Sequence, residues 1–200
     1  MTQKKFFTTK MIATTGILTG IEIVLQIIGN YINPGFANIN LSLIPIAIGA
    51  ILYGPIVGGF LGLVCGVMVI ISPSTMQFFM PVNPVATIMV CLLKTTAAGV
   101  IAGLVMKLFK EDKKIYGAIL VSILVPVINT GIFALFAVLF FKEILKGMVD
   151  SSPTIYANIG AALFIGMIGI NFILEVISSV ILTPSLYKII DHTETNKISN

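Results

Sequence analysis

An all-α membrane protein, a six-transmembrane-helix bundle with both termini cytoplasmic, is the fold this sequence predicts, on three observations. Hydrophobic residues make up 57% of the 200 and charged residues 10%, with a mean hydropathy of +1.07, whereas a soluble domain carries about 25% charged residues. Too little polar surface exists to coat a globule in water, so lipid must be part of the solvent. The apolar residues fall into segments close to the roughly 20 residues that a crossing needs. The chain has no Arg, and its lysines gather at segment ends, where charge sets membrane orientation. A net charge of +4 placed this way is no nucleic-acid footprint.

The first segment runs from about Thr8 to Gly29. The basic start MTQKKFFTTK resembles a signal peptide, but the apolar run behind it exceeds the roughly 7–15 residues of a signal core. Met11 to Ile28 is therefore expected to be a retained helix. NYINPGFANIN follows as an uncharged loop. A second stretch, Leu41 to Tyr53, is short, and Gly54-Pro55 separates it from a third, Ile56 to Ile71. These two read as a helical hairpin turning at Tyr53-Gly54-Pro55. SPSTMQFFMPVNP is the next loop, then a fourth span from about Val85 to Met106. The charged KLFKEDKK leads to a fifth, Tyr116 to Phe141, and KEILKGMVDSSPT is read as a connection. The last helix lies within Tyr156 to Ile190, with Gly166 and Gly169 as candidate breaks, and is expected to end near Leu186. One membrane domain over residues 1–190 and a polar cytoplasmic tail at 191–200 complete the expected organisation.

With the N-terminus inside, Lys4, Lys5, Lys10, Lys107, Lys110, Lys113, Lys114, Lys188 and Lys197 are cytoplasmic. Lys142 and Lys146 are outside, and Lys94 lies within a span. Nine against two favours an even number of crossings, so the short second stretch counts as a span.

Polar residues inside spans are costly and mark function or inward packing. They are Glu22 and Gln26 on the first helix, Lys94 on the fourth, Asn129 on the fifth, and Asn171 and Glu175 on the sixth. Glu22 with Gln26, and Asn171 with Glu175, are four apart and share a face. A pocket opening outward could collect several of them. The plainer alternative pairs Lys94 with Glu22 or Glu175 and makes the asparagines interhelical glue.

Glycines give a second signal. Gly54, Gly58, Gly62 and Gly66 recur every fourth residue, Gly99 and Gly103 repeat the spacing on helix four, and Gly16 and Gly20 on helix one. Small-xxx-small stripes let helix backbones approach in lipid, either within this bundle or, most plausibly on helix one, against another membrane subunit. The cysteines, Cys65 and Cys91, lie in apolar segments and read as small buried hydrophobes. With one His and no Cys/His cluster, no metal site or cofactor is expected. No Walker A, H-E-x-x-H or G-x-S-x-G motif occurs, so no catalytic residue is nominated, and an ATP-driven pump would take its ATPase from another chain.

Leu43 to Gly66 (LIPIAIGAILYGPIVGGFLGLVCG), Ala97 to Lys110 (AAGVIAGLVMKLFK) and Gly169 to Ile190 (GINFILEVISSVILTPSLYKII) together resemble the substrate-binding (S) components of energy-coupling factor (ECF) transporters. The likeness covers nearly the whole chain. It implies a high-affinity binding subunit, in a bacterial plasma membrane, for a small water-soluble vitamin or related micronutrient. The implied partners are a transmembrane coupling subunit and two ATPases, with toppling in the bilayer to release cargo inside. Family pockets use the first outer loop and the outer parts of helices four to six. That nominates the loop Asn33 to Asn40, with Asn33, Asn38 and Asn40, together with Lys94, Asn129, Asn171 and Glu175. The family's Ala-x-x-x-Ala docking motif on helix one is replaced by Ala13-x-x-x-Ile17, so Ala13, Gly16 and Gly20 are the nearest docking candidates. The rival reading is a self-sufficient proton-coupled secondary transporter using Glu22 or Glu175, and a third is an intramembrane enzyme acting on lipid or peptide.

Overall fold

Helices at the predicted positions dominate the computed structural model, which describes residues 8–32 and 40–198. They are α1 (Thr9–Ile32), α2 (Leu43–Tyr53), α3 (Pro55–Ile70), α4 (Pro84–Met106), α5 (Lys114–Phe140), α6 (Lys142–Ser151), the single turn α7 (Ile159–Ala161) and α8 (Gly169–Ile198). No strand occurs among the described residues. Four helical segments are long and apolar enough to cross a membrane: Thr9–Tyr31, Pro84–Met106, Lys114–Phe140 and Ile159–Lys188.

Local chemistry fixes the boundaries. Gly54 takes φ +82°, a left-handed conformation that glycine adopts without a Cβ penalty, and Pro55 then opens α3 at a position where its missing N–H is not needed. The hairpin at Tyr53-Gly54-Pro55 is present as predicted. Asn83 caps α4 by accepting a hydrogen bond from the Ala86 N–H at 3.0 Å, again with Pro at the first helical position.

The α3–α4 seam is the closest packing in the bundle. A Cβ added at Gly62 would stand 2.8 Å from the Thr96 Cα, and one at Gly66 would stand 2.7 Å from the Cys91 carbonyl oxygen. Gly58 and Gly99 meet backbone to backbone, as do Gly103 and Pro55. Without a hydrophobic force between helices in lipid, such close approach is what van der Waals attraction requires. The glycine stripes on α3 and α4 therefore serve internal packing.

Every residue from Leu43 to Ile51 is buried. At 11 residues, α2 is about 16 Å long, well short of the roughly 30 Å hydrocarbon core. It has protein neighbours on all sides, α1, α3, α4, α5 and α8, so its apolar surface needs no lipid. Its N-terminal end consequently lies inside the bundle, where irregular backbone is tolerated only if protein or a cavity receives it.

Two expectations change. KEILKGMVDSSPT is not a bare connection: it holds α6, with Phe141, Leu145 and Met148 buried and Lys142, Glu143, Lys146 and Asp150 exposed. That spacing of four and three residues is an amphipathic stripe. The last helix does not stop near Leu186, because the backbone stays helical to Ile198; beyond Pro184 the sequence has no Gly or Pro to stop it. The suspected break is real. The turn α7 passes into a π-helical segment, Ala162–Ile168, and α8 begins at Gly169.

Candidate binding site

Successive long helices run between two ends of the bundle. Lys107 marks one end, its Cε 3.6 Å from where a Cβ on Gly54 would stand. At the other end lies a partly open cavity, built from Gln26 of α1, the segment ahead of α2, the end of α3 and the loop after it, the first half of α4, the second half of α5, the end of the π-helical segment 162–168 and the start of α8. Its volume is about 80 Å3, several times the roughly 10–15 Å3 that one water needs. This is room for a solute rather than a packing defect.

Helical spacing brings the walls together. Thr87, Cys91 and Lys94 line it from α4 at intervals of four and three, Asn129 and Phe133 from α5 four apart, and Asn171 and Glu175 from α8 four apart. One further wall residue comes from beside the short α2. Asn40, just ahead of it, is buried and donates its backbone N–H to Glu175 Oε1 at 3.0 Å. Glu175 is thus held by a main-chain donor two residues ahead of Ser42, the N-cap of α2. Beneath lies a polar knot: Ser42 Oγ donates to Gln26 Oε1 at 2.8 Å, contacts Asn40 Oδ1 closely and lies 3.0 Å from the Cys65 sulfur.

Three aromatic rings close one side. Phe79, carried on a π-helical turn (Thr75–Phe79) between α3 and α4, packs edge-on against Phe133 at 5.8 Å and Phe141 at 5.2 Å between centroids. Through Phe141 the amphipathic α6 braces the cavity wall. Further along the same stripe, the Met148 methyl occupies the space that a Cβ on Gly166 of the π-helical segment would need.

Five nominated residues therefore line one cavity: Asn40, Lys94, Asn129, Asn171 and Glu175. Asn33 and Asn38 lie outside the described residues. Gln26 reaches the cavity as well, whereas Glu22, one turn away on α1, does not line it. Glu22 is fully buried, and neither carboxylate oxygen has a hydrogen-bond partner among the described residues. The alternative pairing of Lys94 is not present either. Its ammonium lies over the Phe133 ring, 5.1 Å from the centroid, a cation–π contact, and no ion pair to Glu22 or Glu175 occurs among the described residues. Ala13, Gly16 and Gly20 lie elsewhere, on the exposed face of α1. Among the described residues no group of His, Cys, Asp and Glu is placed to hold a metal ion.

Sequence reasoning missed the hydroxyl side of the site. Ser72, Thr75, Thr87 and Thr130 line the cavity, and Phe79 lies in a segment whose sequence reads as loop. Thr87 was within reach, since it stands seven residues before Lys94 on the same helical face. For Ser72 and Thr75, hydrogen-bonded to each other at 2.9 Å, no periodicity was available to find them.

A helical, lipid-compatible bundle with a solute-sized polar cavity at one end defines a membrane protein that takes hold of a small molecule. The chain belongs to the family of ECF transporter substrate-specific components, whose family model matches residues 10–187. Neither the curated proteins nor the solved structures give a match. The family is one of multi-pass membrane transport components, not an enzyme class.

Proposed function

We propose that this chain is the high-affinity substrate-binding subunit of an ATP-driven ECF-type importer for a small water-soluble vitamin or related micronutrient. The observation that carries the reading is the cavity: in a chain of this family, polar residues from α4, α5, α8 and the segment ahead of α2 converge at the end away from the lysine-rich connection. In this reading α1, α2, α3, α4, α5 and the α7–α8 unit are six crossings in a plasma membrane, and both termini face the cytoplasm. The lysine asymmetry then puts the cavity at the outer surface. The exposed α1 face with Ala13, Gly16 and Gly20 docks the transmembrane coupling subunit, which works with two ATPases.

Reconstitution tests the proposal. Alone in liposomes the chain should bind its ligand without accumulating it, and concentrative uptake should appear only with the coupling subunit, the ATPases and ATP. Concentrative, ATP-independent uptake by the pure chain would move the assignment to a secondary transporter. Orientation is checked in a version lacking Cys65 and Cys91. Phe36→Cys and Gln77→Cys should label from outside, and Asp112→Cys and Thr195→Cys only after permeabilisation.

A further inference from the structure

The cavity carries one cation, and no close ion pair holds it among the described residues. Lys94 is half-buried on α4 and makes no ion pair there, its ammonium resting instead on the face of Phe133. Glu175, the carboxylate on the α8 wall, already accepts the Asn40 N–H at the start of α2. On the α5 wall of the same cavity, Asn129 is 4% exposed, and its side-chain oxygen has no partner among the described residues. Both features are costly when left alone. A lysine at membrane depth costs at least about 2.5–3.5 kcal/mol, and a buried acceptor without a donor forfeits about 1–3 kcal/mol. They describe a complement: an anion for Lys94 and a hydrogen-bond donor for Asn129. The remaining wall mixes apolar side chains, Val69, Phe79, Val90, Met167 and Phe172, with the hydroxyls of Ser72, Thr75, Thr87 and Thr130.

Taking this cavity as the substrate site of the importer proposed above, we infer that the ligand is a small organic acid. Its carboxylate pairs with Lys94, an N–H or O–H group donates to Asn129 Oδ1, and its apolar body lies along Phe79 and Phe172. A cationic ligand is disfavoured because Lys94 already holds the Phe133 face, and a second positive charge would be repelled. Among anionic ligands a single charge fits better than two, because the Glu175 carboxylate lines the same cavity. A phosphate would bring close to two negative charges at neutral pH to a site with one cation, opposite Glu175. The chain has no Arg to grip phosphate oxygens in the two-pronged way that guanidinium does.

The test uses the purified full-length chain in detergent with matched acid and neutral probes: nicotinate with nicotinamide, pantothenate with panthenol, and biotin with biotinamide. Binding is followed by calorimetry, and native mass spectrometry of freshly extracted protein reports what copurifies. At least one acid should bind, its neutral counterpart at least about tenfold more weakly. Lys94→Met keeps side-chain length and removes the charge. It should weaken the acid by about tenfold to over a hundredfold and leave the neutral probe unchanged, so that discrimination collapses. Asn129→Leu should weaken both members of the pair. A thermal melt confirms that each variant is folded. Unchanged acid affinity in folded Lys94→Met, a panel in which no acid binds, or a copurifying neutral molecule, cation or phospholipid each overturns the inference. The importer reading fails separately. A neutral compound accumulated through the coupling proteins would refute the acid and keep the importer, whereas a Lys94-dependent acid concentrated by the chain alone would do the reverse.

Discussion

Glycines spaced four apart occur on α1 and along the α3–α4 pair, in opposite surroundings. A Cβ at Gly16 or Gly20 would meet nothing within 4 Å among the described residues, whereas one at Gly58 or Gly99 would run into the backbone of the opposing helix. Around the α1 pair the surface is apolar and outward, with Ile17 65% and Val24 54% exposed. The same spacing thus marks a closed seam in one place and an open one in the other. Glycine supplies a smooth surface, and the neighbouring side chains decide whether this chain or another covers it.

The largest effect should come from closing the gap that the seam requires. Gly99→Leu puts a branched side chain where the backbone of Gly58 stands. Overpacking a core typically costs about 1–3 kcal/mol when side chains can shift; here the obstacle is main chain, so the helices must part. The expected result is loss of monodisperse protein on size exclusion and a collapsed thermal transition. A normal melt would mean that α3 and α4 do not approach as described, and the contrast with α1 would disappear.

Much of this was legible because membrane chemistry is restrictive. Lys94, Asn129, Asn171 and Glu175 stood out because few polar groups are affordable inside a span, and helical spacing then put them on faces that converge. The turn at Gly54-Pro55 follows from two residues with narrow conformational roles. Other features had no such signature. The α6 stripe of Phe141, Leu145 and Met148 was obscured by the charges between them, and the π-helical turn that aims Phe79 has no sequence period. Which glycine stripe is closed was undecidable from spacing, since it depends on what lies across from it. Asn40 was nominated through a family likeness, but its physical role, N–H donor to Glu175 beneath a short buried helix, depends on the depth at which α2 starts.

A smaller and more selective effect is expected on the open side. Gly16→Leu and Gly20→Leu have space to point into, so the melting transition should move by no more than about 0.5 kcal/mol, as for surface substitutions elsewhere. Ligand affinity, set across the bundle from this face, should change by roughly twofold at most. Uptake with the coupling proteins should fall by about tenfold or more, equivalent to about 1.4 kcal/mol of lost association. Radiolabelled uptake set beside a binding isotherm reads the two apart. Uptake that survives both substitutions would place docking on another face.

The smallest effect sharpens the comparison most. Gly131 on α5 is exposed, and a Cβ there also meets nothing within 4 Å among the described residues, although Asn129 and Thr130 just before it line the cavity. It shares openness with the α1 glycines and lacks their four-residue repeat. Glycine within a helix is less favourable than alanine by roughly 0.5–1 kcal/mol, because its unfolded chain has more freedom to lose. Gly131→Ala should therefore raise the thermal midpoint slightly and leave affinity and uptake unchanged. Gly131→Leu is the stricter control, since it offers the bilayer a side chain as large as those tested on α1. If Gly131→Leu leaves uptake intact while Gly16→Leu abolishes it, bulk on an open face is harmless unless that face is covered by a partner. Equal loss of uptake from both would instead show that added bulk impairs uptake on any exposed surface, and α1 would lose its claim to be the docking helix.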